Sequence, residues 1–398
     1  MRASRFCLSM AAAGLTLAVS AAFAQGLPPT IRVGLSAPLT GPSAVTGTSA
    51  KIMVEMAVKE INDAGGIAGK KVELIQADDR ADPTTAVTEV KRLINSEKVN
   101  VILGPGSAAP ALAAAADITR AKILSFPNTG ATSINRTSYP YGFGTFYSSD
   151  AFSDAMMDYA VDVLKAKTVA ALVDNGAQGQ AAGAEFKAHA AKRGIKIVAY
   201  ETHDYDAEDL SPQVLNIRRG NPDVVLHVAS NGDSVGRFFR SAEELGWKPI
   251  IISQVASLFP AQIKKIAGDQ VYASGRVYGP QFKTLTMCKG ENPASFPYVQ
   301  FLTRLKAFTP DFAKVAVGLT PIYYDQLYLA KAAIEATKSV DGPTLAAWIE
   351  KNSKQHKGIG GNYGATADYH LIWDASVIGM VQRPDTPDAS GMYPRAGC

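Results

Sequence analysis

Cysteine, tryptophan and histidine are scarce in this chain: 398 residues hold three cysteines, three tryptophans and five histidines. So few cysteines exclude a disulfide-rich scaffold and a cysteine-ligated zinc site. The histidines, His189, His203, His227, His356 and His370, show no ligand spacing such as H-x-x-x-H, so solvated or hydrogen-bonded single rings are expected in place of a metal site. No charge of one sign dominates either. The net charge is +4, and with Arg2 and Arg5 assigned to a leader, 38 of the 40 basic residues stand against 36 acidic ones. That balance, with no Lys/Arg cluster, argues against nucleic acid as the main partner. Beyond the N-terminus no apolar run approaches the length of a membrane span.

Catalytic signatures are missing too. Gly104-Pro105-Gly106-Ser107 superficially resembles a dinucleotide loop, but it follows a third strand and contains proline. It also lacks both an acid about 20 residues on and a P-loop lysine. Ser107 has Pro105 and Ala109 where a nucleophile elbow has glycines. Asp78-Asp79 with Asp82 reads as strand-end acids beside a helix cap, and no carboxylate pair can be placed for acid–base work. Neither enzyme, metal nor cofactor is expected.

What is present begins with a leader. Arg2 and Arg5, the apolar stretch from Leu8 to Ser20 and the small-x-small triplet Ala22-Phe23-Ala24 make residues 1–24 a secretory signal, with cleavage after Ala24. Interruption by Ser9, Gly14, Thr16 and Ser20 argues against a membrane anchor. The mature chain is therefore expected to be exported and soluble. Two cysteines remain there, Cys288 and Cys398; an even count in an oxidising compartment suggests a bridge, with two free thiols as the alternative.

The rest of the chain is organised around Ile31–Gly130. Ile31, Val33 and Leu35 alternate with Arg32 and Gly34, the period of a strand. Ala50, Met53, Val54, Ala57 and Ile61 mark one face of a helix that ends at Gly65-Gly66. A strand at 72–77 precedes Asp82-Pro83, an N-cap followed by proline at the first helical position. The wholly apolar strand at 99–103 runs into Gly104-Pro105-Gly106-Ser107 and an alanine-rich helix, then a strand at 122–126. Alternation restarts after Pro140 and continues to a strand predicted over 271–278, so the fold class is α/β with two doubly wound units. Gly279–Pro297 lacks periodicity and reads as an insertion. Helices follow at 298–308, 315–338 (kinked at Pro321 or beginning there) and 343–352, and the tail beyond Gly358, with Leu371, Trp373, Val377 and Met380, reads as a hairpin joining one sheet.

In such sheets ligands bind beyond the carboxyl ends of the strands. Those ends are Ser36–Gly47, Gly104–Ala109 and Pro127–Thr132 in the first unit; the second unit carries loops at Asp174–Gln180, Ser230–Asp233 and Ser253–Ser257. Backbone N–H groups at Ser107, Ala108 and Ala109, at a helix start, suit a small anion. Tyr147, Tyr323, Tyr324 and Phe146 are either pocket walls or ordinary core, and Tyr147, between the two units, is the favoured wall.

The run from Ile31 to Val87, with "EINDAGGIAGKKVEL", "DDRADP" and, further on, "VILGPGSAA", resembles the leucine/isoleucine/valine-type periplasmic binding proteins, and "YDQLYLAKAAIEA" resembles the family's late helix. The resemblance implies a type I periplasmic binding protein fold, two lobes joined by three crossovers with a ligand cleft between them. It implies lobes of 27–147 plus about 279–355 and 148–278 plus about 356–398. It also implies a monomeric solute-binding protein of an ABC importer, with a membrane permease as partner. A family serine that holds the ligand carboxylate falls at Ala108, beside Ser107; the loop after the fourth strand supplies Asn128, Gly130 and Thr132; an aromatic position falls at Gln178; and Ser230 borders the second-lobe side of the cleft. The family's acid partner for an ammonium falls at Val255, in a run without any acid, although Asp233 lies in a nearby loop. A buried ammonium without a counter-charge is costly. The expected ligand is therefore a small carboxylate without the amine, or else a neutral amide such as urea. A soluble ligand sensor of the same fold is the rival role.

Overall fold

The computed structural model describes residues 26–398 apart from Pro42, Thr132, Ser133, Tyr147, Tyr205, Ser230, Ser257 and Pro384, and only the backbone of Ser149, Ala177, Gln178, Thr320 and Ala375. The leader at 1–24 lies outside the described residues.

The first sheet is parallel. Strand β1 (Thr30–Ala37) pairs with β2 (Lys71–Asp78) on one side and with β3 (Val101–Leu103) on the other, and β4 (Leu124–Phe126) pairs with β3. Between them run α1 (Ala44–Asp63), α2 (Pro83–Asn95) and α3 (Ala108–Ala121). The sequence explains each stop and start. Asp82 accepts from the Thr85 N–H at 2.7 Å with Pro83 behind it, as the N-cap reading requires.

After β4 the chain crosses to a second unit through α4 (Ser149–Asp158), which continues into a π turn at Tyr159–Val163. Five strands follow: β5 (Thr168–Asp174), β6 (Lys196–His203), β7 (Val224–Val228), β8 (Ile251–Ser253) and β9 (Val277–Phe282). Helices α5 (Ala177–Arg193), α6 (Ser211–Gly220), α7 (Gly232–Glu244), α8 (Pro260–Ala267) and α9 (Gln270–Ala273) connect them. The strand orders β2-β1-β3-β4 and β6-β5-β7-β8-β9 are the same doubly wound pattern twice. The chain then returns to the first unit. Helices α10 (Pro297–Phe308), α11 (Thr320–Thr337) and α12 (Gly342–Asn352) bury Phe301, Leu327, Ile334 and Ile349 in one cluster with Ile31, Val33 and Leu103. A last crossing brings β11 (Ile378–Gln382) antiparallel onto β9.

Three sequence expectations differ from this. The strand predicted over 271–278 is α9 followed by β9: Tyr272 is fully buried and its hydroxyl donates to the Ala256 carbonyl at 2.9 Å, an anchor no local pattern shows. Gly279–Pro297 opens with the second half of β9. Pro280 is tolerated there because β8 pairs only as far as Tyr278, so β9 at that point faces β11 alone. The tail is not a hairpin. Leu371 forms an isolated bridge with Gly144 and Trp373 is buried coil; β11 joins the second sheet as a single strand on β9; and β12 (Tyr393–Pro394) pairs parallel with β10 (Thr286–Met287). Beside that pair the sulfurs of Cys288 and Cys398 lie 2.02 Å apart, with Cα atoms 5.8 Å apart.

One buried acid makes stability depend on pH. Asp325 on α11 is fully buried and accepts from the Ile359 and Gly360 N–H groups, both at 2.8 Å. Burial raises its pKa to about 7, against the pull of those two bonds. A carboxyl whose folded pKa lies above its unfolded value of about 3.9 stabilises the fold fully below that value, and the contribution is lost as pH rises through 7. The wild type is expected to lose up to about 1.4 kcal/mol per pH unit from this group between pH 4 and 7. Asp325→Asn should flatten the dependence in that window. Calorimetric melts of both proteins at pH 5 and pH 7.5 check it, and parallel curves would exclude Asp325 as the source.

Candidate functional site

The loops at the carboxyl ends of both sheets converge on a cavity of about 400 Å³. The first unit contributes Pro38 after β1, the Gly106–Pro110 turn after β3 and Asn128–Ala131 after β4. The second contributes Gly176 after β5, Ala229 after β7, and Gln254 and Val255 after β8. Phe146 comes from the crossover before α4, and Leu319 and Tyr323 from the start of α11.

The turn after β3 is built by close approach. Gly104 has φ +103°, and a Cβ there would sit 2.1 Å from the Ser36 carbonyl oxygen. A Cβ on Gly106 would sit 2.4 Å from Pro38 Cδ. Asp79, fully buried at the end of β2, ties this turn to its neighbours: its carboxylate accepts from the Gly106 N–H at 2.9 Å, the Ser36 hydroxyl at 3.0 Å and the Ala81 N–H at 3.0 Å. Burial raises its pKa against these three donors. Asp78 accepts from the Leu39 N–H at 2.9 Å, fixing the start of the β1–α1 loop. The acidic pair is therefore scaffolding for the cavity wall, in keeping with its strand-end reading.

Three helices start at the cavity. Ser43, Ser107 and Gly176 are the N-cap residues of α1, α3 and α5, and all three line it. Neither Ser43 nor Ser107 caps its own helix with its hydroxyl. The first N–H groups of a helix have no intrahelical partner and carry the positive end of its dipole. By contrast, the start of α7 is closed off, with Asn231 accepting from the Ser234 N–H at 3.0 Å and Gln262 from the Gly232 N–H at 3.2 Å. None of the described residues lining the cavity carries a charged side chain. The walls are small, apolar or neutral polar, and the field within them favours an anion.

Two neutral groups, the half-buried Asn128 and the buried Tyr323, add direction. Asn128 donates through Nδ2 to the Gly106 carbonyl at 3.2 Å and to the Tyr323 hydroxyl at 3.0 Å. Burial pushes the Tyr323 phenol far above its ordinary pKa, so it stays protonated. With its oxygen accepting from Asn128, its own O–H is free to serve as a donor.

Of the sequence-predicted site residues, Ser107, Ala108, Ala109, Asn128, Gly130 and Val255 come together around this cavity. Thr132, Tyr147 and Ser230 lie outside the described residues, as does the side chain of Gln178. Phe146 and Tyr323 are walls, whereas Tyr324 packs away from the cavity against Phe301, its hydroxyl bonded to Glu60. Sequence reasoning missed Ser43, Thr46 and Gln254 as lining residues. Serine after Gly41-Pro42 at a helix start was the available signal for Ser43. Two histidines scattered in sequence do meet: His203 and His227 both place Nε2 3.1 Å from the Ser234 hydroxyl. Burial holds His227 well below its ordinary pKa, and therefore neutral. Among the described residues no group of three or more His, Cys, Asp or Glu side chains is placed to hold a metal.

Residues 30–385 match the family model described as periplasmic binding protein. An amino acid binding protein of Pseudomonas aeruginosa is 26% identical over 328 residues, 81% of this chain and 83% of that protein. The branched-chain amino acid transporter substrate-binding protein LivJ of Streptococcus pneumoniae, solved with isoleucine, superposes with a TM-score of 0.74 at 20% identity, covering 92% of this chain and 97% of that one. A solute-binding protein of an ABC transporter from R. palustris, solved with 4-hydroxybenzoate, superposes with a TM-score of 0.75 at 21% identity, covering 92% and 95%. The chain belongs to the periplasmic binding protein family and has its type I, two-lobed α/β fold.

Proposed function

We propose that this is an exported solute-binding protein of an ABC importer, capturing a small carboxylate that carries no ammonium and delivering it to the membrane permease. The observation that carries the ligand class is the cavity: three helix N-termini and a protonated Tyr323 surround it, and none of its described lining residues is charged. An anion finds donors there; an ammonium finds no counter-charge. The solved relatives hold both isoleucine and 4-hydroxybenzoate on this fold, so amino acids and aromatic acids are the two chemistries to separate. Residues 27–147 with about 279–355 form one lobe, and 148–278 with about 356–398 the other, closing on the ligand at Ser107–Ala109 and Asn128–Ala131 from one side and Val255 from the other. The protein binds as a monomer and turns nothing over.

A thermal-shift screen of branched-chain keto acids, aromatic acids and short amides tests this, with the compound recovered and weighed by mass spectrometry. A true ligand at about 100 times its Kd adds about 2.7 kcal/mol and raises the melting temperature, and it should be recovered unchanged. A chemically altered compound would refute the binding role. Stabilisation by urea or amides but by no carboxylate would refute the anion site.

A further inference from the structure

Apolar side chains keep accessible surface inside the cleft. Among the described residues the exposed large hydrophobics are Val45, Leu112 and Val163. A leucine exposed singly on a surface is ordinary. Leu112 is placed differently: it lines the cavity together with Phe146 and Phe259, which are both half-buried and so also offer surface to a ligand. The three come from different parts of the chain. Leu112 stands on α3, four residues after Ala108, so it shares that residue's helix face and lies about 6 Å further along the axis. Helix side chains lean toward the N-terminus, which turns its isobutyl group back toward the N–H donors at Ser107–Ala109. Phe146 belongs to the crossover before α4, where its ring lies 5.7 Å from that of Phe152, tilted by 33°. Phe259, from the second unit, is the N-cap residue of α8. A Cβ added to Gly232 would meet the Phe259 Cβ at 2.8 Å, so the loop before α8 is pressed against the start of α7.

We infer that Leu112, Phe146 and Phe259 are specificity-determining residues that enclose an aromatic ring, which makes an aromatic carboxylate the class of acid this cleft selects. This rests on the carboxylate reading above and deepens it: the anionic end faces the helix N-termini and Tyr323, and the ring covers the three apolar side chains. Burying that surface favours a large apolar body over a small one. Two phenylalanines favour a ring among bodies of similar size, because tilted and edge-to-face ring pairs gain beyond the area they bury. A ring is also rigid, so it loses less freedom on binding than a flexible chain does. The cavity, at about 400 Å³, falls within the range of about 300–1,000 Å³ of sites that enclose drug-sized ligands, and so has room for a ring.

Isothermal titration of the mature protein with phenylpyruvate and 4-methyl-2-oxopentanoate tests the inference, since the two share the keto-acid end and differ in the body. Phenylpyruvate should bind about tenfold tighter or more. Leu112→Ala should weaken phenylpyruvate about fivefold. With Leu112 exposed on an alanine-rich helix, the unliganded variant should melt as the wild type does, which separates loss of contact from loss of fold. Phe146→Leu keeps an apolar side chain but removes the ring, and should cut the preference for phenylpyruvate to about threefold or less. Equal affinities for the two acids, tighter binding of the aliphatic one, an unchanged phenylpyruvate affinity in Leu112→Ala, or an unchanged preference in Phe146→Leu would overturn the assignment. If neither acid binds, the carboxylate reading itself has failed and this inference with it, a result distinct from all the others.

Discussion

Gly104→Ala is expected to destabilise the protein by about 3 kcal/mol or more and to remove ligand binding. Its φ of +103° lies outside the range an alanine adopts readily, and that alone costs about 1–3 kcal/mol. The new Cβ would also meet the Ser36 carbonyl oxygen at 2.1 Å, a contact relieved only by moving β1 or the turn. Overpacking of this kind adds about 1–3 kcal/mol. Moving the turn displaces Gly106 from Asp79 and swings the start of α3, and with it Ser107–Ala109, away from the cavity. Denaturant unfolding and titration with the best acid from the screen check both effects. A variant that melts like the wild type and binds as well would show that this turn does not set the site.

Removing the Cys288–Cys398 bridge should have a comparable effect on stability alone. The two residues are 110 apart in sequence, and closing a loop of that size is worth about 4–5 kcal/mol in the chain-entropy model. The bridge fastens the tail where β12 pairs with β10 and Arg395 donates to Thr286 through Nε at 2.8 Å and to its carbonyl through Nη2 at 2.9 Å. None of these residues lines the cavity. The Cys288→Ser/Cys398→Ser variant should therefore unfold at lower denaturant yet bind ligand at 25 °C with unchanged affinity. Thiol titration of the unreduced, denatured wild type should find no free thiol; two would end the idea.

The elements that were legible in the sequence are those fixed by local rules. The alternation of Ile31, Val33 and Leu35, the cap Asp82-Pro83 and the turn Gly104–Ser107 each announce their structure within a few residues. So does the rule that ligands meet the carboxyl ends of parallel strands, which located Ser107–Ala109 and the loop holding Asn128, whereas Val255 was reached through the family resemblance. What was not legible depends on partners far away in the chain. Tyr272 turns inward as helix because its hydroxyl reaches Ala256. Pro280 sits in a strand because β11 returns about a hundred residues later. The orientation of Asn128 is set by Gly106 and by Tyr323, 195 residues on, and only that packing reveals its free oxygen. The run Ser253–Ser257 showed the missing acid, but not that Gln254 lines the cavity beside Val255.

The most direct measurement is a calorimetric comparison of leucine with 4-methyl-2-oxopentanoate, which share carboxylate and side chain and differ at the amine. With no charged side chain among the described lining residues and Val255 where a counter-charge would stand, the keto acid should bind at least about tenfold tighter than leucine. Micromolar binding of leucine with the keto acid inert would contradict the cleft as described and make this an amino-acid-binding protein.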